Sequence, residues 1–422
     1  MVMACLPAPA LIILDPRLTI KSTEGGLGDG RIPVPGAAGK VPAFGICIAG
    51  QCRQSVGELP LMRRSEVPTP ALLLDIDILD RNIATMRDCA VALGVKLRPH
   101  AKAHKCVEIA QRIMAAGAVG ASCATIGEAE AMASGGIGGI LVTAPLTSND
   151  AMERLYRLLL RGADIAVVAE DPACVSRLSA TAAASGRTLH VIVDVDVGMG
   201  RTGCLDIADA VALARQITDS PALHYGGIQA YWGNLQQVSP FSERARLIAA
   251  QADRVRAVIA ALRSAGLPPP IVTGGGTGSH RIDATTGLFT EIQPGSYLFM
   301  DSCYSTISIS ENDNPFTPSL FVAATVVSAN KLGRVVVNAG WKAFATDSGK
   351  PVALRGAPQG ASFRFMGDEH GALDFEGDAG PAPGATIEFV TTHCDPTVNL
   401  YSAYHVVRGD AVIDIWPIRA RY

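Results

Sequence analysis

The chain lacks most of the features that mark large classes of protein. Among its 422 residues no apolar run is long enough to span a bilayer, which argues against a membrane partner. The first fourteen residues are apolar, but they carry neither a charged leading segment nor a clean cleavage signal, so a secretory leader is not expected. None of the ten cysteines belongs to a CxxC pair, and several lie in apolar stretches. That usage suits a reducing compartment, taken here as the cytoplasm, rather than a disulfide framework. Positive charge is not in excess either. The 36 Lys and Arg against 39 Asp and Glu leave a formal charge of −3, and a pI near 6.3 offers nucleic acid no basic surface. Aromatic residues are scarce at 5%, whereas the 43 glycines suit α/β folds with tight strand-to-helix turns. With 48% hydrophobic residues the chain can bury a large core, and a small molecule is the expected partner.

Residues 1–64 are rich in Gly and Pro without a sustained period, and read as a poorly ordered extension. Met62 stands just before the first well-patterned segment, so an upstream start is one reading of residues 1–61. From Thr69 the character changes: short β-branched runs alternate with Ala/Leu-rich segments of helical period. Strands are expected at 95–100, 120–124, 139–143, 165–169, 189–196, 225–231, 270–274 and 291–299. Helices are expected at 80–93, 107–116, 126–133, 149–160, 171–184, 207–217 and 241–265. Eight strands separated by helices is the count of a TIM-like (β/α)8 barrel; a doubly wound open sheet is the competitor, with fewer strands. After about residue 305 the helical period ends, and 319–329, 334–338, 386–392 and 404–408 read as short strands. The expected organisation is a barrel over 78–305 and a smaller C-terminal β domain over 306–422, to which residues 66–77 add a strand.

In such a barrel the strand C-termini carry the chemistry. The first ends in Lys96-Leu-Arg-Pro-His100-Ala-Lys102-Ala-His104-Lys105, where crowded cations would lower a lysine pKa and free its amine for Schiff-base formation. The seventh ends in Thr273-Gly-Gly-Gly-Thr-Gly-Ser279, whose consecutive glycines let amides converge on an anion. A reactive lysine and a phosphate cradle together suggest pyridoxal phosphate. Arg201, in Asp196-Val-Gly-Met-Gly-Arg201, is placed to face the pyridine nitrogen or, as an ordinary turn arginine, the solvent. Near the C-terminus His393 and Asp395 in Thr392-His-Cys-Asp-Pro-Thr397 would point to one side of an extended segment and suit a divalent cation; by spacing alone a structural turn is the better reading.

Taken together, these motifs resemble the fold-type III pyridoxal-phosphate enzymes of the D-threonine aldolase and D-serine dehydratase group, over about residues 66–420. The resemblance assigns Lys102 rather than Lys105 as the cofactor lysine and places Arg201 at the pyridine nitrogen. It also places Tyr231 beside the cofactor and the amides of Gly276, Thr277 and Gly278 on its phosphate. Gln293-Pro-Gly-Ser-Tyr297 matches in order and context, adding Gln293 and Tyr297 to the cofactor site; Met300-Asp301 and Asp368-Glu-His-Gly371 also fit. His393 and Asp395 match the metal motif. Aspartate, where the dehydratases carry cysteine, implies an aldolase using Mn2+ or Mg2+ in preference to Zn2+. A homodimer is implied as well.

The chain departs from that pattern at Trp232 and Gln237, which stand where the aldolases carry histidines, the second being their candidate general base. The base is then metal-bound hydroxide or a histidine from elsewhere, such as His100 or His104. Asn338, Trp341 and Cys303 also differ. Trp232 and Trp341 mark either a pocket reshaped for an aromatic substrate or ordinary packing. The expected activity is cleavage of D-3-hydroxy amino acids to glycine and an aldehyde. The alternatives are dehydration of D-serine or 3-hydroxy-D-aspartate to a 2-oxo acid and ammonia, racemisation, and a non-catalytic pyridoxal-phosphate protein.

Overall fold

A computed structural model describes residues 62–310 and 314–420. The extension expected over residues 1–64 lies, up to residue 61, outside the described residues. Eight parallel strands follow in spatial order: β2 (Lys96–Leu97), β3 (Ser122–Cys123), β4 (Ile140–Val142), β5 (Ile165–Ala169), β6 (Leu189–Val195), β7 (Leu223–Ala230), β8 (Ile271–Gly274) and β9 (Glu291–Ile292). β9 pairs back to β2, and a bridge from His100 to Ser122 joins β2 to β3, which closes the barrel. Helices α1 (Ile76–Leu93), α2 (Val107–Ala115), α3 (Ile126–Ser134), α4 (Asn149–Leu160), α5 (Pro172–Ser185), α6 (Ile207–Asp219), α7 (Phe241–Ser264) and α8 (His280–Thr285) wrap it.

Local chemistry sets these boundaries. The Asp75 carboxylate caps α1 at the Ile78 amide, starting the helix four residues before the expected position, and Gly94 ends it with φ +69°. Thr125, Ser148 and Asp171 cap α3, α4 and α5 in the same way. Strand alternation divides the apolar side chains: Val167 and Ala169 join the cluster shared with the helices, whereas Val168 packs with Leu141 and Ile192 in a separate cluster within the barrel. The seam between first and last strands holds a buried ion pair. Arg98 donates to both oxygens of Glu291, at 2.7 and 2.9 Å, and also to the Gly139 carbonyl.

The second sheet begins with β1 (Ala71–Asp75), which lies between β10 (Leu320–Lys331), antiparallel to it, and β16 (Ala403–Arg408), parallel to it. Around these stand β11 (Arg334–Val337), β12 (Val352–Arg355), β13 (Ser362–Phe365), β14 (Gly371–Asp374), β15 (Thr386–Val390) and β17 (Ala411–Pro417). Among the described residues the two remaining α-helices are single turns: α9 (Ser302–Ser305) and α10 (Cys394–Val398). Strands β12, β13, β14 and β17 escape the sequence reading because most run only four residues between turns, too short to show a period. The strand expected over 291–299 ends at Ile292. Pro294 has no amide to donate, and the chain turns into a 3-10 turn at Ser296–Leu298.

Candidate active site

The cluster at the end of β2 divides into two halves. A 3-10 turn, Ala101–Ala103, turns Lys102 and His100 into a cavity of about 290 Å3 at the C-terminal mouth of the barrel. Lys105 and His104 turn away from it. Lys105 Nζ donates to Glu128 Oε1 at 2.8 Å and to the Ala420 carbonyl at 3.0 Å. His104 is buried, with Nδ1 accepting from the Cys106 amide, and burial lowers its pKa to about 4. Of the two candidate substitute bases, His104 is therefore outside the cavity.

The cavity-facing pair also differs from expectation. Lys102 Nζ lies 3.1 Å from Asp395 Oδ2, and this carboxylate raises the lysine pKa against the desolvation that would lower it. The lysine is thus an ammonium partnered by a carboxylate, not an amine pressed neutral by cations. His100 is neutral, because burial and the neighbouring Lys102 hold its pKa well below the ordinary value. Its Nδ1 accepts from the Lys102 amide at 3.4 Å, which leaves the proton on Nε2, 3.3 Å from Thr143 Oγ1.

Opposite stands the loop after β6, folded around the Asp196 carboxylate. Asp196 Oδ1 accepts the amides of Gly198, Met199 and Gly200 at 2.9, 2.9 and 3.1 Å. This presents Arg201 to the cavity with its guanidinium carbon 5.6 Å from the centre of the Tyr231 ring. Below, a chain of hydrogen bonds crosses the barrel. Thr202 and Gln229 donate to Asp194, and Gln293 Nε2 reaches Gln229 Oε1 and Thr273 Oγ1. Gln293 lines the cavity, whereas Tyr297 does not. The Tyr297 side chain is buried against Phe316, and its contribution is an amide donated to Thr277 Oγ1 at 3.0 Å.

Of the glycine loop, Gly275, Gly276 and Thr277 reach the cavity. Gly278 does not; its amide donates to Gln236 Oε1 at 3.1 Å. Gly275 has φ +71°, and a Cβ there would lie 2.4 Å from Asp283 Oδ2, while one on Gly276 would lie 2.5 Å from Gln236 Oε1. Only bare backbone fits between these side chains and the cavity. A lysine amine, a facing arginine and a backbone loop without Cβ atoms fit a phosphate-bearing aldehyde such as pyridoxal phosphate.

His393 and Asp395 do not lie on an extended segment. His393 is the N-cap residue of α10, and Asp395 falls in its first turn. Burial would raise the Asp395 pKa, but Lys102 and His393 outweigh it and hold the group at about 2. Cys394, fully buried, donates its thiol towards Asp395 Oδ1 at 3.3 Å. Asp301, from the Met300-Asp301 motif, fixes this turn by accepting the Cys394 amide at 3.0 Å.

Asp347 was not foreseen. Its Oδ2 accepts a hydrogen bond from His393 Nδ1–H at 2.6 Å, which leaves Nε2 as the nitrogen with a free lone pair, an arrangement common at metal-ligating histidines. Among the described residues no group of three or more His, Cys, Asp or Glu side chains converges on one point. A histidine nitrogen oriented by a carboxylate, together with one ionised carboxylate, still fits a hard divalent cation that keeps open positions.

The residues that departed from the pattern also find places. Trp232 is fully buried, edge-on to Phe289, and Trp341 is half-exposed beside Phe365; neither lines the cavity. Neither tryptophan therefore reshapes the substrate pocket. Gln237 is exposed, while Gln236 turns inward. Asn338 ties the start of β1 by donating to the Thr69 carbonyl at 3.1 Å.

A closed (β/α)8 barrel with a lysine at the end of its first strand and a glycine cradle after its seventh defines a pyridoxal-phosphate protein of fold type III. Comparison with known proteins assigns the family. Residues 74–303 match the alanine racemase N-terminal domain and residues 319–407 the putative serine dehydratase domain, and the chain belongs to this family. It is 41% identical to a D-threonine aldolase from Arthrobacter sp. over 86% of this chain and 94% of the relative. It is 37% identical, with the same coverage, to a 3-hydroxy-D-aspartate aldolase from Paracoccus denitrificans (strain Pd 1222). The crystal structure of a D-threonine aldolase from Filomicrobium marinum superposes with a TM-score of 0.82 at 39% identity, over 86% of this chain and 98% of that one.

Proposed function

We propose that the protein cleaves D-3-hydroxy amino acids, D-threonine and aryl analogues among them, to glycine and an aldehyde. Pyridoxal phosphate and a divalent cation, Mn2+ or Mg2+, are its cofactors. The observation that carries this reading is the approach of Lys102 Nζ to Asp395 Oδ2 at 3.1 Å. It supports a reading in which the cofactor lysine and the carboxylate of the cation motif act side by side. The aldolase relatives described above support the same reaction.

Bound pyridoxal phosphate supplies the electron sink that stabilises charge at Cα. Arg201 would lie by its ring, and Gly275, Gly276 and Thr277 would hold its phosphate. His393 Nε2 and Asp395 would hold the cation, which supplies Lewis-acid activation of the β-hydroxyl. Asp395, with a pKa of about 2, stays ionised for that role throughout the neutral range. His100 acts by orientation, since one ring nitrogen accepts from the Lys102 amide and the other faces Thr143. Tyr231 and Tyr304 keep their phenol protons because burial raises both pKa values. Of the lining groups, Lys102 Nζ is the one suited to move protons, returning one to Cα after cleavage. A homodimer in the cytoplasm, with no nucleic acid or membrane partner, completes the proposal.

Product analysis tests it. With pyridoxal phosphate, Mn2+ and a panel of D-threonine, D-serine and D-phenylserine, glycine and the matching aldehyde are expected in equal amounts. A 2-oxo acid with ammonia would establish a dehydratase instead. The L-enantiomers are expected to remain intact.

A further inference from the structure

Behind the glycine loop lies a buried polar network that the reaction itself does not use. Asp283, on α8, is fully buried. Its Oδ1 accepts from Trp232 Nε1 at 2.7 Å and its Oδ2 from Ser279 Oγ at 2.5 Å. Ser279 Oγ in turn accepts from Gln236 Nε2 at 2.7 Å and from the Gly276 amide at 3.3 Å. Gln236 closes the circuit, its Oε1 accepting the Gly278 amide. Side chains from three segments thus grip the outer face of the turn whose inner face lines the cavity: Trp232 and Gln236 after β7, Ser279 on the turn itself, and Asp283 on α8.

The contact is too close to be incidental. Hypothetical Cβ atoms on Gly275, Gly276 and Gly278 would lie 2.4, 2.5 and 1.9 Å from Asp283 Oδ2, Gln236 Oε1 and the Gln236 carbonyl. The loop therefore rests directly on these groups, and its backbone has no freedom to recede from the cavity. A fully buried carboxyl is costly even when held by two side-chain donors and the Gly276 amide, and burial lifts its pKa to about 7 despite them.

We propose that Trp232 and Asp283 are positioning residues for the cofactor phosphate. The indole N–H fixes the Asp283 carboxyl, and Asp283 and Ser279 fix the backbone of Gly275–Thr277 in its anion-receiving form. Neither side chain touches the cofactor. This inference rests on the pyridoxal-phosphate reading, and it gives position 232 a role in cofactor retention instead of substrate choice.

The test compares two ligands that differ only in the phosphate. Apoenzyme is titrated with pyridoxal phosphate and with pyridoxal, following the visible absorbance of bound cofactor, and the competition by inorganic phosphate is measured. Asp283→Ala is expected to weaken pyridoxal phosphate by about tenfold or more, and Trp232→Phe, which removes a single N–H, by about threefold to tenfold. Both variants should bind pyridoxal within about twofold of the parent, because the lost contacts act only through the phosphate turn. Asp283→Asn, still an acceptor for the indole, is expected to recover much of the loss. Equal weakening of both ligands, or unchanged affinity for pyridoxal phosphate, would overturn the proposal. Should Asp283→Ala not fold, Trp232→Phe decides alone on the same criteria. Failure of the parent protein to bind pyridoxal phosphate would instead refute the cofactor reading on which the inference stands.

Discussion

Lys102→Ala is expected to abolish the visible absorbance of bound pyridoxal phosphate and to lower turnover by about 10^4-fold or more, with the fold intact. The prediction separates the two lysines of the motif. Lys105 sits seven-hundredths exposed in an ion pair with Glu128, on the far side of the turn from the cavity. Lys102 lies in the cavity wall, its amine 3.1 Å from Asp395 and almost half exposed. Lys102 belongs to none of the apolar core clusters, so the fold should persist, with thermal stability lowered by the Asp395 carboxylate left without its partner. Absorbance and product formation measured on one preparation suffice. A retained absorbance band would move the cofactor attachment elsewhere and remove the basis for the site.

Removing the cation is the second large effect. Dialysis against EDTA is expected to lower cleavage by on the order of 10^3-fold, restored by Mn2+ but not by Na+. His393→Ala should resist restoration at the Mn2+ concentration that suffices for the parent. The reason is geometric. His393 Nδ1 is committed to Asp347, so Nε2 has a fixed direction, and the neighbouring Lys102 holds Asp395 ionised at neutral pH. Pyridoxal-phosphate absorbance should persist in both cases, since neither residue touches the phosphate turn. Full activity in EDTA would exclude the cation from the reaction and leave His393 and Asp347 a structural role.

Much of the barrel was legible in the chain, and for identifiable reasons. Strands such as Ile165–Ala169 and helices such as Asn149–Leu160 carry strong apolar patterns, and both fall where the pattern puts them. The β domain was half visible, because four-residue strands such as Ser362–Phe365 are shorter than the period needed to recognise them. For the site, sequence locates strand ends but not the direction of each side chain. It therefore grouped His104 with His100, although the 3-10 turn at Ala101–Ala103 sends them to opposite sides. It counted four basic groups and inferred a depressed lysine pKa, whereas the decisive neighbour, Asp395, is 293 positions away in the chain and reverses the sign. Asp347 and Asp283 carried no local signal at all. One lies on an irregular loop and the other on a six-residue helix, and each gains its meaning from a partner brought near by folding.

The most direct test of the site is anomalous diffraction from crystals of the pyridoxal-phosphate form soaked in Mn2+. A single strong peak is expected within about 2.2 Å of both His393 Nε2 and an Asp395 carboxylate oxygen, beside Lys102. A peak elsewhere, with His393 and Asp395 bare, would contradict the proposed assembly of cofactor lysine and cation at one barrel mouth.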